Sequence, residues 1–222
     1  MAVVSGIDLS NTSTGLVVLG KERWIIEATS ICFERQMKGK DWKKLLKFFP
    51  AEQARAFEFA RYLFYCREII KKLMQWNVQY VAIESYAYAG HKMYLSTESG
   101  GLLKYLLLQK NIPWIEVAPS SLKKFATGKG KGEKSDIVLA VYKKWGFDPS
   151  EYGVPSGKER EDTADAFVLA QVAYSIINES IDDLTKPQQE VVEHYSEKAA
   201  REFKAPYEKK GKKKGKKNKK KS

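Results

Sequence analysis

Cysteine is scarce in this chain: Cys32 and Cys66 are the only two in 222 residues. Two thiols so far apart make neither a disulfide framework nor a thiolate metal site, so a reducing, cytoplasmic compartment fits. Long apolar runs are missing as well. Nothing approaches the ~20 consecutive apolar residues that cross a bilayer, and the N-terminus has neither the basic segment nor the cleavage site of a signal peptide. Internal repeats are absent. Acidic charge falls short of basic charge by twelve, but the excess is uneven: residues 208–222 carry ten lysines and one glutamate, leaving about +3 for residues 1–207. A phosphate-rich partner is the simplest implication, and an anionic membrane surface the weaker one, because no lipidation signal or apolar face accompanies the lysines.

What is present is 43% hydrophobic residues, enough for one sizeable core with a tail. The pattern predicts strands over 2–9, 14–20, 23–33, 78–84 and 112–117, and helices over 51–76, from about 96 to 110, 136–145 and 161–178. The basic stretch 35–50 and the segment 147–160 read as irregular or loop, and Pro119 as a strand stop from which a helix can begin. This order suggests an α/β fold, a five-stranded mixed sheet with helices on its faces and strands 1 and 4 adjacent at its centre. Residues 1–180 form the domain and 181–207 a linker with an amphipathic helix. The lysine run 208–222 is disordered by composition.

Acids mark this framework. Asp8 ends the first strand, Glu84 ends the fourth, and Asp162 and Asp165 stand i and i+3 on an alanine-rich helix, about 5–6 Å apart on one face. Each alone has an ordinary reading: Asp8 caps the turn at Ser10–Thr12, Glu84 is an exposed strand end, and the two aspartates answer the helix dipole. Taken together those readings need three separate coincidences. If the last helix crosses the ends of strands 1 and 4, the four carboxylates converge and repel one another unless cations join them. An all-oxygen donor set without His or Cys suits Mg²⁺, or Mn²⁺, rather than zinc. Glu161 is ambiguous: it lies i−4 to Asp165 but adjoins Asp162. Two such metals ~4 Å apart support metal-assisted phosphodiester hydrolysis.

GIDLSNTSTG at the first strand, VAIESYAY at the fourth, VAPSSLKKFATGKGKGEKSDI, and EDTADAFVLA at the last helix together resemble the RuvC family of Holliday-junction resolvases, within the ribonuclease-H-like superfamily. The resemblance spans residues 4–174. It implies that Asp8, Glu84, Asp162 and Asp165 match the family's four metal-binding acids, serving two Mg²⁺ per site, and that Lys124 and Lys134 match the basic residues flanking its TGxG segment. In that mechanism Asp8 bridges both metals, Glu84 and Asp165 complete the two sites, Asp162 assists one, and Lys134 offsets charge developing on the phosphate. The chain departs from the bacterial members in its added C-terminal residues, in Lys131 and Gly132, and in Tyr86 and Tyr88 near the base-stacking aromatic. Those differences resemble phage versions, which act in the bacterial or infected-host cytoplasm.

Lys123, Lys124, Lys129, Lys131 and Lys134, interleaved with glycines, read as a flexible basic segment for DNA phosphates, or as a solvated loop. Tyr86 and Tyr88, with Tyr94, follow Glu84 and either stack on bases or pack the loop. The implied partner is branched DNA, a four-way junction or a flap. Paired incisions in a junction imply a homodimer. Two other classes compete: a non-catalytic DNA-binding protein, and an actin-like or sugar-kinase-type ATPase, whose phosphate loop the opening motif also resembles but whose two domains 222 residues are too few to build.

Overall fold

The computed structural model describes residues 1–10, 12–36, 54–85, 93–155 and 157–204. The strands are β1 (Val4–Leu9), β2 (Thr14–Leu19), β3 (Ile25–Ile31), β4 (Tyr80–Glu84) and β5 (Trp114–Val117). The helices are α1 (Phe33–Gln36), α2 (Ala54–Gln75), α3 (Met93–Gln109), α4 (Pro119–Thr127), α5 (Lys134–Trp145), α6 (Lys158–Ile177) and α7 (Lys186–Lys204). Five strands form one sheet in the order β3-β2-β1-β4-β5. β1 to β3 are an antiparallel meander, while β4 and β5 run parallel to β1. The expected α/β architecture, a five-stranded mixed sheet with β1 and β4 adjacent at its centre, is therefore present.

Alternation along the strands divides the core in two. Ile7, Leu16, Val18, Val81 and Ile83 point to the face covered by α2 and α3. Val4, Val17, Tyr80, Ala82 and Val117 point to the other, under α4, α5, α6 and α7. By the same alternation Asp8 and Glu84 share the α6 face, at the carboxyl ends of neighbouring parallel strands. Cys66 lies in the first core, where burial pushes its thiol up to about 12, so packing is its role.

Helix α6 runs over the centre of the sheet, with every residue from Asp162 to Ser175 buried. Two strand glycines let it come unusually near. A Cβ on Gly6 would stand 2.0 Å from the Ala166 carbonyl oxygen, and one on Gly15 2.0 Å from that of Asp162. Backbone lies on backbone here, as a glycine inside a strand often signals. Farther along, Phe147 stacks on Phe167 at 4.3 Å, and Trp145 meets Phe167 edge-on at 5.7 Å.

Three expectations need correction. Residues 119–127 form helix α4, which buries Leu122, Phe125 and Ala126, so Lys123 and Lys124 are helical and not part of a flexible segment. α5 begins at Lys134, where Glu133 and Asp136 form a reciprocal capping box. α6 begins at Lys158, inside the expected loop, because its charged first turn finds partners: Glu159 accepts from Ser30 Oγ (2.6 Å) and pairs with Arg35 (2.7 Å).

The amphipathic helix expected after Pro187 is α7, and it packs on the domain. Val191, Val192 and Tyr195 are buried, Tyr195 Oη accepts from Ala118 N–H (2.8 Å) and donates to Ser121 (3.2 Å), and Gln188 Nε2 donates to the Phe125 carbonyl (3.0 Å). Among the described residues no helix is long and apolar enough to cross a membrane. Tyr86, Tyr88 and the lysine run 208–222 lie outside the described residues.

Candidate functional site

The acid cluster grows out of the β1–β2 hairpin and α6. Asp8 pairs across the hairpin with Gly15, and Ile7 pairs with Ile83 on β4, setting Glu84 beside Asp8. Because Gly15 has no side chain, the main chain at Asp162 lies directly over that pair. Asp162 and Asp165 then descend toward Asp8 from one face of α6. Asp8, Asp162 and Asp165 are all at most 4% exposed.

A lysine occupies the focus of these acids. Lys134, first residue of α5, places Nζ 3.1 Å from Asp162 Oδ1, 3.1 Å from Asp165 Oδ2 and 3.6 Å from Asp8 Oδ2. Ser13 Oγ donates to the other Asp162 oxygen at 2.5 Å. Both Asp162 oxygens are thus satisfied, whereas Asp8 Oδ2 and Asp165 Oδ1 are buried with no hydrogen-bond partner. One ammonium therefore faces three buried carboxylates, with the half-buried Glu84 next to Asp8.

The electrostatics follow from burial and like charge. Burial, then the charges of Glu84, Asp165 and Asp162, hold the Asp8 carboxyl well above the usual range despite Lys134. Burial, with Glu84 and Asp162 adding to it against Lys134, pushes Asp165 up to about 7. Glu84 is raised chiefly by burial, which outweighs its hydrogen bond with Asp8. Burial works against the Lys134 charge, yet Asp8, Asp165 and Asp162 hold its ammonium above the ordinary lysine range. This arrangement lacks positive charge.

The donor set fits hard divalent cations: carboxylate oxygens only, two of them buried and unpartnered, around a point that already draws in one cation. Among the described residues no three acidic, histidine or cysteine side chains are arranged as they stand to hold a metal ion; the Lys134 ammonium stands between the carboxylates instead.

The remaining site residues are dispersed. Lys124 Nζ pairs with Glu190 of α7 at 2.5 Å, so its charge is offset within the chain. Lys123 Nζ donates to the Gly132 carbonyl (2.7 Å), holding the glycine-lysine loop against α4. Lys129 and Lys131 are exposed on that loop. Glu161 points away from the acids, into an open groove of about 440 Å³ lined also by Leu139, Tyr142 and Pro149. Sequence reasoning missed Ser13, whose partner lies 149 residues away, and the positioning roles of Gly6 and Gly15, whose occurrence inside strands was the available signal.

No known protein family matches the chain by its sequence profile, and no curated protein sequence matches it. Among solved structures, it is similar to Thermus thermophilus RuvC in complex with Holliday junction substrate, at 20% identity and a TM-score of 0.53, over 77% of this chain and 91% of that one. It is similar also to a Thermus thermophilus RuvC structure at 19% identity and a TM-score of 0.50, over 76% and 90%. At such identities the likeness is one of fold, and the fold of this chain is the ribonuclease-H-like fold of those RuvC proteins.

Proposed function

We propose that the chain is a divalent-metal-dependent endonuclease that cuts branched DNA, with the four-way Holliday junction as its principal substrate and flaps as the nearest alternative. The observation that carries this reading is the convergence of Asp8, Asp162 and Asp165 around a single lysine, with unpartnered oxygens on two of them. Buried mutual repulsion of this kind destabilises the fold, and a cation-dependent reaction is the simplest reason to keep it.

Asp8, Glu84, Asp162 and Asp165 would hold two Mg²⁺, or Mn²⁺, which when bound supply an activated water and stabilise the leaving oxygen. Ser13 fixes the Asp162 carboxylate by its hydrogen bond. Lys134, with its side chain 43% exposed, offers an ammonium to the phosphate and offsets charge that develops there. Lys123, Lys129 and Lys131 line the approach for the DNA backbone, and Lys124 joins them when Glu190 yields it. Tyr86 and Tyr88, two and four residues after Glu84, supply faces for bases unstacked at the branch. A homodimer presents two such sites to the two strands of a junction.

Cleavage of end-labelled junction, flap and linear duplex by the wild type and by Asp8→Asn, with Mg²⁺ and with chelator, tests this directly. Paired nicks in the junction that vanish with the mutation and with the chelator are expected, while Asp8→Asn retains or improves DNA binding because one repelling charge is gone. Tight binding without cutting of any substrate would sink the catalytic reading.

A further inference from the structure

Beside the acid cluster, a second polar group is assembled for an anion. Lys158 opens α6 one helical turn, about 5.4 Å, before Asp162. Its Nζ donates to Ser10 Oγ (2.9 Å) and Thr12 Oγ1 (2.7 Å) in the loop after β1. Ser10 Oγ also accepts from Thr12 N–H at 3.4 Å. An ammonium has three N–H donors and each hydroxyl has one. Two of the ammonium donors are used on the hydroxyl oxygens. The hydroxyls lie 3.4 Å apart, so only one of their protons can be engaged between them. One N–H and one O–H are left over by these bonds.

The charge is left over as well. Among the described residues no carboxylate lies within 4 Å of Lys158 Nζ. The adjacent acids are committed elsewhere, Glu159 to Arg35 and Ser30, Asp162 to Ser13 and Lys134. Gly157 at the N-cap supplies no side chain to the leading N–H groups of α6, and the first-turn acids Glu159 and Glu161 answer the helix dipole, so the unspent charge here is that of Lys158 itself.

We propose that Lys158, Ser10 and Thr12 bind one backbone phosphate of the DNA strand, the neighbour of the phosphate held at the acids. The identity of the ligand rests on the nuclease reading. Lys158 supplies the point charge and the two hydroxyls turn their protons to phosphate oxygens. Since α6 carries both Lys158 and Asp162, the contact sets the register of the strand against the acids and reads no base. Lys158 is a positioning residue in this scheme.

The test is a salt series of fluorescence anisotropy titrations in chelator, with a labelled synthetic four-way junction and the full chain as wild type, Lys158→Gln, Lys158→Arg, and the pair Ser10→Ala with Thr12→Val. Lys158→Gln should weaken binding several-fold and make the slope of log affinity against log salt shallower by about 0.9, one phosphate's worth of released counterion. Lys158→Arg should restore both. The hydroxyl pair keeps the charge and should weaken binding at unchanged slope, giving a second reading if the lysine variant fails to fold. Slopes and affinities that stay at wild-type values in the folded variants overturn the proposal, and so does a loss of melting temperature alone, which marks a merely structural tie. Failure of the nuclease reading looks different: wild type with Mg²⁺ would cut nothing, whatever the Lys158 slope.

Discussion

Gly15→Ala adds one methyl group at the most crowded point of the fold, and the structure states what it meets. The new Cβ would lie 2.0 Å from the Asp162 carbonyl oxygen, 2.4 Å from its carbon and 2.8 Å from Thr163 N, where ordinary contacts begin at 3.4 Å. These are main-chain atoms in the buried stretch of α6, so no side-chain rotation relieves the clash. α6 has to retreat from β2 by more than about 1 Å, and overpacking of this sort typically costs ~1–3 kcal/mol. For a domain of this size each kcal/mol lowers the melting temperature by roughly 2–4 °C. The same retreat carries Asp162 away from Asp8, and a misplacement of ~1 Å in a catalytic array costs on the order of 100-fold in rate. Gly101 supplies the control: it is exposed on α3, and a Cβ there meets nothing within 4 Å, so Gly101→Ala should stabilise by about 0.5–1 kcal/mol. Thermal melts and single-turnover junction cleavage of both variants decide the matter. A Gly15→Ala protein that melts and cuts like the wild type would refute the backbone-contact argument.

Other outcomes follow from the site. In metal-free protein the folded chain keeps protons on Asp8, Glu84 and Asp165 that the unfolded chain releases near pH ~4, so these groups' contribution to stability is full below that pH and is lost as pH rises through about 7, where folded Asp165 ionises. Melting curves in chelator should therefore show Asp165→Asn gaining on the wild type between pH ~4 and ~7, with Mg²⁺ closing the gap; a gap that narrows with pH reverses the sign and rejects the assignment. Ser13→Ala strips a buried Asp162 oxygen of its donor and should cost about 1–3 kcal/mol together with a fall in cleavage rate, read by urea unfolding and single-turnover assay. Deleting residues 208–222 removes ten lysines; binding at moderate salt should weaken while the rate at saturating protein stays near wild type, and a large loss of that rate would contradict a tethering role.

The strands were legible because β1 and β4 spell themselves in aliphatics and stop at acids, and the pairing of Ile7 with Ile83 follows from placing those acids together. Helix starts were harder to read. α4 hides Leu122, Phe125 and Ala126 behind Lys123 and Lys124, and α6 opens with four charged residues in a row, Lys158 to Glu161, whose helical state depends on partners as distant as Arg35 and Ser10. The four acids could be picked out because a charge at the end of a buried strand is conspicuous in sequence. Lys134 joins the acids in the sequence through the resemblance of the segment around it, whereas that Ser13 would hold Asp162 and that Glu190 would capture Lys124 from 66 residues away are facts of tertiary approach with no local signature.

Where α6 crosses Gly6 and Gly15, its height above the sheet is set by the radii of carbonyl oxygens and amide nitrogens, which no substitution elsewhere can alter. The aromatic cluster of Trp145, Phe147 and Phe167 lies in the same core but meets that helix at Phe167, about 100° around the helix from the Ala166 that lies on Gly6. Gauge and ballast are thus separate parts of the molecule. Chains that drift in the size and shape of their aromatic core can keep one spacing between Asp8 and Asp162, so long as two positions in the hairpin keep no side chain at all.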